Sequence, residues 1–366
     1  MTQLRILHAE AATSFGGQEQ YIYRMMNAMR ERGHHLEAVC QPHAQLAERL
    51  REAGFTVHTT YMDGPVNFVR GVHFIRRVLR RGQFDVLNCH SRRDAVLAGT
   101  AGRLAGTPLI VRTRHLAKRI GSLFSYTVIP HRVTTASNFV RNMLLERGAA
   151  PEKVATVYPA VDMPELPEAS TLREELRLAA NDVVIGCVAV MRVGKGHIDL
   201  INAAEPLIRE RPNVHLVFAG GGSPVFEQVQ AHITQRQLGR RVHLLGQRRD
   251  IPNVLAGLDI FALATRSEAS GTVFVEAGAA GLPTVGTEVD GVPEMLVDGE
   301  TGFLVPLDDA PALTEALRRL VDDSALRRRM GEAGRRFCRE NTRFTPQGMA
   351  ESAEACYLRW LGERRQ

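Results

Sequence analysis

Short apolar runs alternate with longer segments of helical period along most of the chain. In the first half, Leu4–Ala9, Leu36–Cys40, Thr56–Thr60, Val86–Cys89, Leu109–Thr113, Val133–Thr135 and Val154–Tyr158 read as strands. Between them, Gln18–Arg32 and Arg92–Leu104 carry apolar residues at i, i+3, i+4 and read as amphipathic helices. The stretch Pro159–Pro167 holds three prolines, which cannot join a ladder, and reads as a linker. Alternation then restarts with strands at Val183–Val190, Val214–Ala219, Val242–Leu245, Ile260–Leu263 and Thr284–Gly286, and Thr345–Leu361 is again helical. Strand–helix alternation of this length predicts an α/β protein made of two Rossmann-like, doubly wound halves facing a cleft. The expected domains are 1–165 and 166–344, with the helical tail 345–366 packing back on the first.

Composition narrows the class. A chain of 366 residues with 44% hydrophobic and 23% charged residues has room for two ordinary cores. No apolar run reaches the roughly 18 residues of a membrane span, and the start reads as a buried strand, not a signal peptide. The five cysteines (Cys40, Cys89, Cys187, Cys338, Cys356) are scattered and form no Cys-x-x-Cys, so a cytoplasmic protein without disulfides or zinc is expected. The charge is uneven. Residues 1–165 hold 22 Arg and Lys against 13 Asp and Glu, a balance of +9, whereas the remainder carries −3. A basic first half suits an anionic partner.

In doubly wound sheets ligands sit beyond the carboxyl ends of the strands, so the loops there hold the candidate chemistry. After the first strand, Gly16 and Gly17 precede a helix, an arrangement that suits either close approach to an anion or an ordinary turn. After Val183–Val190, Arg192 and Lys195 flank a turn ending in Gly196. Two cations there can clamp a diphosphate, and Lys195 is one of only three lysines in an arginine-rich chain. Gly220–Gly222 resembles a dinucleotide fingerprint, yet Arg240 and Arg241 stand where a ribose-binding acid belongs, so a packing or sugar-nucleotide loop is the better reading. After Ile260–Leu263 come Glu268, Gly271 and Thr272 at a helix start, and Glu276 one turn in. Glu276 can accept both hydroxyls of a ribose or simply favour the positive helix end. His90 and His115 end strands and are open to structural or chemical roles.

The order of these pieces resembles the retaining glycosyltransferases of family four, of lipopolysaccharide and polysaccharide type, which have the GT-B fold. The resemblance rests on GGQEQYIYRMMNAMRERGH, on MRVGKGH, on Glu268 and Glu276 with seven residues between them, and on GAAGLPTVGTEVDGVPEMLVDGETGFLVP. It covers Leu4 to about Phe344. It departs from the family where Met191-Arg192 stands a short step before the lysine and where Ala-Ser-Gly-Thr follows Glu268. It implies that 166–344 is the donor domain and 1–165 the acceptor domain. Arg192 and Lys195 would hold the donor diphosphate with amides near Gly271 and Thr272, and Glu276 would bind ribose. Glu268 and His115 would contact the transferred sugar. Gly17 would approach the phosphates or the acceptor, and Gly16 and His90 would face the acceptor. The implied reaction is metal-independent sugar transfer with retention, without cofactor, from a UDP- or GDP-linked donor to a glycan or lipid-linked hydroxyl.

Other classes remain in view. A nucleotide-sugar epimerase or phosphorylase shares such a fold, a hydride-transferring enzyme would need the missing ribose acid, and a binder of anionic ligands would explain the charge. One Trp and six Tyr leave no aromatic–basic interleaving for nucleic acid. Asn67–Arg81, read as a helix, places Val69, Val72, Ile75 and Leu79 on a stripe with Phe68 at its edge, and arginines around it. That helix gives two expectations: a stripe packed on the sheet with solvated arginines, or peripheral attachment to the anionic inner face of the plasma membrane.

Overall fold

The computed structural model describes residues 2–161, 163 and 165–364. Two positions of the proline-rich linker, Asp162 and Pro164, lie outside the described residues. The chain divides into two compact units, residues 1–160 with 343–366, and residues 161–342.

The first unit opens with β1 (Arg5–Glu10), α1 (Gly17–Glu31), β2 (His35–Cys40), α2 (Gln45–Glu52), β3 (Thr56–Thr59) and α3 (Gly64–Gly82). It continues through β4 (Val86–Cys89), α4 (Arg92–Ala105), β5 (Leu109–Arg114), β6 (Arg132–Thr135), α5 (Asn138–Glu146) and β7 (Val154–Thr156). The strands form one parallel sheet in the order β3-β2-β1-β4-β5-β6-β7. Neighbouring residues of β1 point to opposite faces: Ile6 joins one apolar cluster and Leu7 another. Both faces are therefore covered, as a parallel sheet requires.

The second unit contains α6 (Leu172–Glu175), β8 (Val183–Val188), α7 (His197–Glu210), β9 (Val214–Ala219), α8 (Val225–Gln235) and β10 (Val242–Leu244). Then come α9 (Ile251–Ala256), β11 (Ile260–Leu263), α10 (Thr272–Ala280), β12 (Thr284–Thr287), β13 (Gly302–Val305), α11 (Ala310–Asp322) and α12 (Ser324–Glu340). Its sheet is also parallel, ordered β10-β9-β8-β11-β12-β13. The last strand, β13, was not among the expected ones. β8 also ends two residues early, because Ala189–Met191 leave the strand and bond the backbone of Ala219 and Gly221.

The terminal helix α13 (Pro346–Glu363) belongs to the first unit. Its Met349, Ala353, Tyr357 and Trp360 pack with Tyr21, Met25 and Met29 of α1 in one buried cluster. Arg32 clasps it through Glu351 and Glu354, and Tyr357 accepts a hydrogen bond from Asn88 in β4.

Helix α3 corrects the expected stripe. Its buried positions are Gly71, Ile75 and Leu79, with Phe68, Val72, Phe74 and Val78 packed beside them, whereas Val69 is 68% exposed. The reason is its partner. Gly71 lies close to Leu97, so α3 turns toward α4 and carries Val69 to the solvent side.

Candidate functional site

Each sheet reverses its strand order once, between β1 and β4 in the first unit and between β8 and β11 in the second. Loops part at such points and leave room for a ligand.

In the second unit the loops after β8 and β11 are locked side by side. The carbonyl of Gly194 accepts from Arg266 N (2.8 Å) and from the Thr265 hydroxyl (3.2 Å). Gly196 caps α7 with φ +65°, and a Cβ there would overlap the carbonyl oxygen of Ala264. Only glycine satisfies both the left-handed backbone and the contact. Close packing also accounts for two glycines of the Gly220–Gly222 loop: a Cβ at Gly220 would overlap the Ala189 carbonyl and one at Gly222 the Met191 carbonyl.

This frame brings Lys195 and Glu268 into a direct ion pair, the only partner of the Lys195 ammonium among the described residues. Arg192 stands exposed in the same turn, its carbonyl accepting from Lys195 N. Asp290 fixes the Glu268 loop from below in sequence, accepting from Ser267 Oγ (2.5 Å) and Glu268 N (3.1 Å). Gly271 caps α10 in the left-handed region (φ +64°) with no side-chain cap on the helix amides of Thr272 onward, and Glu276 lies half-buried in the following turn. Arg192, Lys195, Glu268, Gly271, Thr272 and Glu276 thus lie on two adjoining loops and the helix that leaves one of them.

In the first unit, His90 and His115 are brought together, and a third histidine joins them. His8 Nδ1 lies 2.9 Å from His90 Nε2, and His90 Nδ1 lies 3.1 Å from His115 Nε2. The rings stack at 5.2 and 5.4 Å, with Tyr21 edge-on to His115 at 4.7 Å. Burial pushes His8 and His115 down to about 3 and His90 well below its ordinary value, so all three are neutral at physiological pH.

The proton positions follow by elimination. Three neutral rings carry three protons, and each contact needs one, which leaves two arrangements. Either every Nδ1 is protonated, or every Nε2 is. His8 Nε2 is buried without a partner among the described residues. A bare nitrogen is the cheaper orphan there, because a sealed N–H loses a full hydrogen bond. The column therefore runs from His8 to His115, and His115 presents Nδ1–H as a donor.

Around this column, Ala12 N donates to Glu10 Oε1 (2.8 Å) and Gln18 to Glu10 Oε2 (2.5 Å), while Gly16 N donates to Glu19 (2.7 Å). These bonds shape the loop that carries Gly16 and Gly17. A Cβ at Gly17 would meet nothing within 4 Å, so its surroundings are open. Burial lifts the Glu10 carboxyl to about 7. Asp94 accepts from His90 N, Ser91 N and the Ser91 hydroxyl, and so ties the His90 turn to the start of α4. Among the described residues no group of three or more His, Cys, Asp or Glu is placed to hold a metal ion, and no helix is long and apolar enough to cross a membrane.

Residues 15–164 match the family described as Glycosyltransferase Family 4, and residues 168–337 match the family described as Glycosyl transferases group 1. The chain is a GT-B glycosyltransferase of the group 1/family 4 type. It is similar to the UDP-Gal:alpha-D-GlcNAc-diphosphoundecaprenol alpha-1,3-galactosyltransferase of Escherichia coli, with 23% identity over 89% of this chain and 90% of that one. It is also similar to the phosphatidyl-myo-inositol mannosyltransferase of Mycobacterium leprae, with 29% identity over 87% of each. Among solved structures, a glycosyltransferase from Rickettsia africae has a TM-score of 0.90 at 21% identity and 99% coverage of both chains. Anabaena HepE in complex with UDP-glucose has a TM-score of 0.82 at 21% identity, covering 96% of this chain and 99% of that one. These likenesses share the GT-B fold.

Several residues of the glycosyltransferase were not singled out in the sequence: His8, Glu10, Asp94, Arg112 and Arg114. One signal was available. His8 and Glu10 in RILHAE, and Arg112 and Arg114 in LIVRTR, are polar residues written into strands buried on both faces. Buried charge in such strands is costly unless it serves something.

Proposed function

We propose that this glycosyltransferase takes a nucleotide-sugar donor in its second unit and transfers the sugar, with retention, to a hydroxyl of a cell-surface glycan or glycolipid precursor. The observation that carries the donor assignment is the locked loop pair holding Lys195 against Glu268 with Arg192 beside it. A diphosphate would take Lys195 over from Glu268, and the carboxylate so released would be free to accept hydroxyls of the sugar. Arg192, Lys195 and the uncapped amides at Gly271–Thr272 would neutralise the leaving group as the glycosidic bond breaks, electrostatic stabilisation that calls for no metal ion and no cofactor. Glu276 is assigned to the ribose and His115, as an Nδ1–H donor, to the transferred sugar. Gly16, Gly17 and His90 belong to the acceptor and phosphate side. The galactosyl- and mannosyltransferases to which the chain is similar are named for a diphosphoundecaprenol and a phosphatidyl-myo-inositol acceptor, which supports a lipid-linked acceptor and a cytoplasmic enzyme working at the inner membrane face.

Thermal-shift measurement against UDP-, GDP- and ADP-sugars tests the donor. One nucleotide class should raise the melting temperature in a concentration-dependent way. No response to any of the three would remove the reading.

A further inference from the structure

The first unit contains a strongly basic pocket whose cations have no part in the donor assignment above. It has a volume of about 270 Å³ and opens between the ends of β4 and β5 and the segment 116–126. Five cations line it (Arg92, Arg112, Arg114, Lys118 and Arg119), with no carboxylate on its wall. His115 shares that wall.

Two of these cations are built in. Arg112 and Arg114 are only 5% and 8% exposed, yet neither lies within ion-pairing distance of a carboxylate among the described residues. Their placement is fixed from behind. Arg112 Nη1 donates to the Ser125 carbonyl (3.0 Å) and hydroxyl, and its guanidinium lies 3.6 Å from the centre of the Tyr126 ring. Arg114 donates to the Tyr126 hydroxyl and to the Lys118 carbonyl. Asp94 acts on Arg112 electrostatically, but its oxygens are occupied by His90 and Ser91. Among the described residues Arg112 Nη2 makes no hydrogen bond, and it is not sealed from solvent. Some half-buried cations of the chain do have a carboxylate partner, as at Lys195–Glu268 and Arg173–Asp259, and others, such as Arg241 and Arg327, donate to backbone carbonyls. Two oriented guanidiniums held under burial without counter-charge are costly, and the cost is relieved when an anion enters.

We propose that this pocket binds a phosphate or diphosphate group of the acceptor. The inference rests on the reading of the first unit as the acceptor side. The planar fork of arginine matches paired phosphate oxygens, and Lys118 and Arg119 add mobile charge at the mouth. Leu116 on the pocket wall is exposed, as are Phe124 in the same segment and Val128 just after it, apolar surface that would favour a phosphate carried on a lipid.

The test uses the full chain carrying Arg192→Gln and Lys195→Gln, so that the second unit does not compete for phosphate. Calorimetric titration with inorganic pyrophosphate should still show binding, and adding Lys118→Gln with Arg119→Gln, both exposed positions, should weaken it at least tenfold while circular dichroism shows the fold intact. Arg114→Gln should act in the same direction. Farnesyl diphosphate binding at least tenfold tighter than pyrophosphate identifies a lipid headgroup as the source, and equal binding identifies a soluble phosphorylated acceptor. Loss of pyrophosphate binding on Arg192→Gln/Lys195→Gln alone, or indifference to Lys118 and Arg119, overturns the pocket and leaves the donor reading standing. Pocket binding in a chain whose stability no nucleotide changes would do the reverse.

Discussion

At the scale of single residues, the histidine column makes the firmest demands. With His8 as its buried end, His115 should be the Nδ1–H tautomer. Long-range ¹H–¹⁵N correlation spectra of histidine-labelled protein report this directly, with signals assigned by His8→Asn and His115→Asn; an Nε2–H signal for His115 would contradict the column. His8 also makes a pH prediction. The folded chain keeps it neutral down to about pH 3, whereas the unfolded chain takes up a proton near 6.5. Protons therefore favour unfolding across that window, so its contribution is complete above pH 6.5 and is lost as pH falls toward 3. Between pH 7.5 and 5.5 the wild type should lose about 1.4 kcal/mol more stability than His8→Asn, which keeps a donor but not the titration. Equal losses in denaturant melts would contradict the assignment. Sequence alone left His90 and His115 undecided and passed over His8, because three strand ends meet only once β1 is known to lie beside β4 and β4 beside β5.

At the scale of elements, most strands and helices were legible because buried parallel strands leave dense apolar runs. The exceptions have local causes. β13 is four residues long and flanked by turns, so its apolar run GFLV passed as part of a loop. On α3 the apolar residues allow two adjoining stripes, and only the packing on Leu97 selects the one that leaves Val69 outside. That exposed face carries Val66, Val69, Arg70, Arg77, Arg80 and Arg81. It should bind vesicles containing anionic lipid, at ~1 kcal/mol per basic residue near the surface, and less so in high salt. Arg70→Gln, Arg77→Gln and Arg81→Gln together should weaken co-sedimentation; indifference to lipid charge would favour a soluble acceptor. The loop after β8 makes a different demand. Gly196→Ala should cost at least about 2 kcal/mol, from left-handed strain and the overlap with Ala264, and abolish nucleotide binding. A melt within 1 °C of wild type would show the loops are not locked as described.

At the scale of the whole molecule, the two sheets repeat one wiring, and each places its candidate chemistry at its own point of strand reversal. The charge follows the division of labour: +9 in residues 1–165, where a phosphorylated acceptor or an anionic surface is proposed, and −3 in the remainder, where acids outnumber the cations. That asymmetry was legible in the sequence, but the basic pocket was not, since its cations come from 92 to 119 and converge only through β4, β5 and the segment that follows. The central claim is that the second unit holds the donor through Arg192 and Lys195. Calorimetric titration of the stabilising nucleotide into wild type, Arg192→Ala, Lys195→Ala and Arg114→Gln tests it most directly. Each charge-assisted contact is worth ~1.5–3 kcal/mol, so Arg192→Ala and Lys195→Ala should each weaken binding roughly ten- to hundred-fold, while Arg114→Gln leaves it within twofold. Wild-type affinity in both Arg192→Ala and Lys195→Ala would contradict the account.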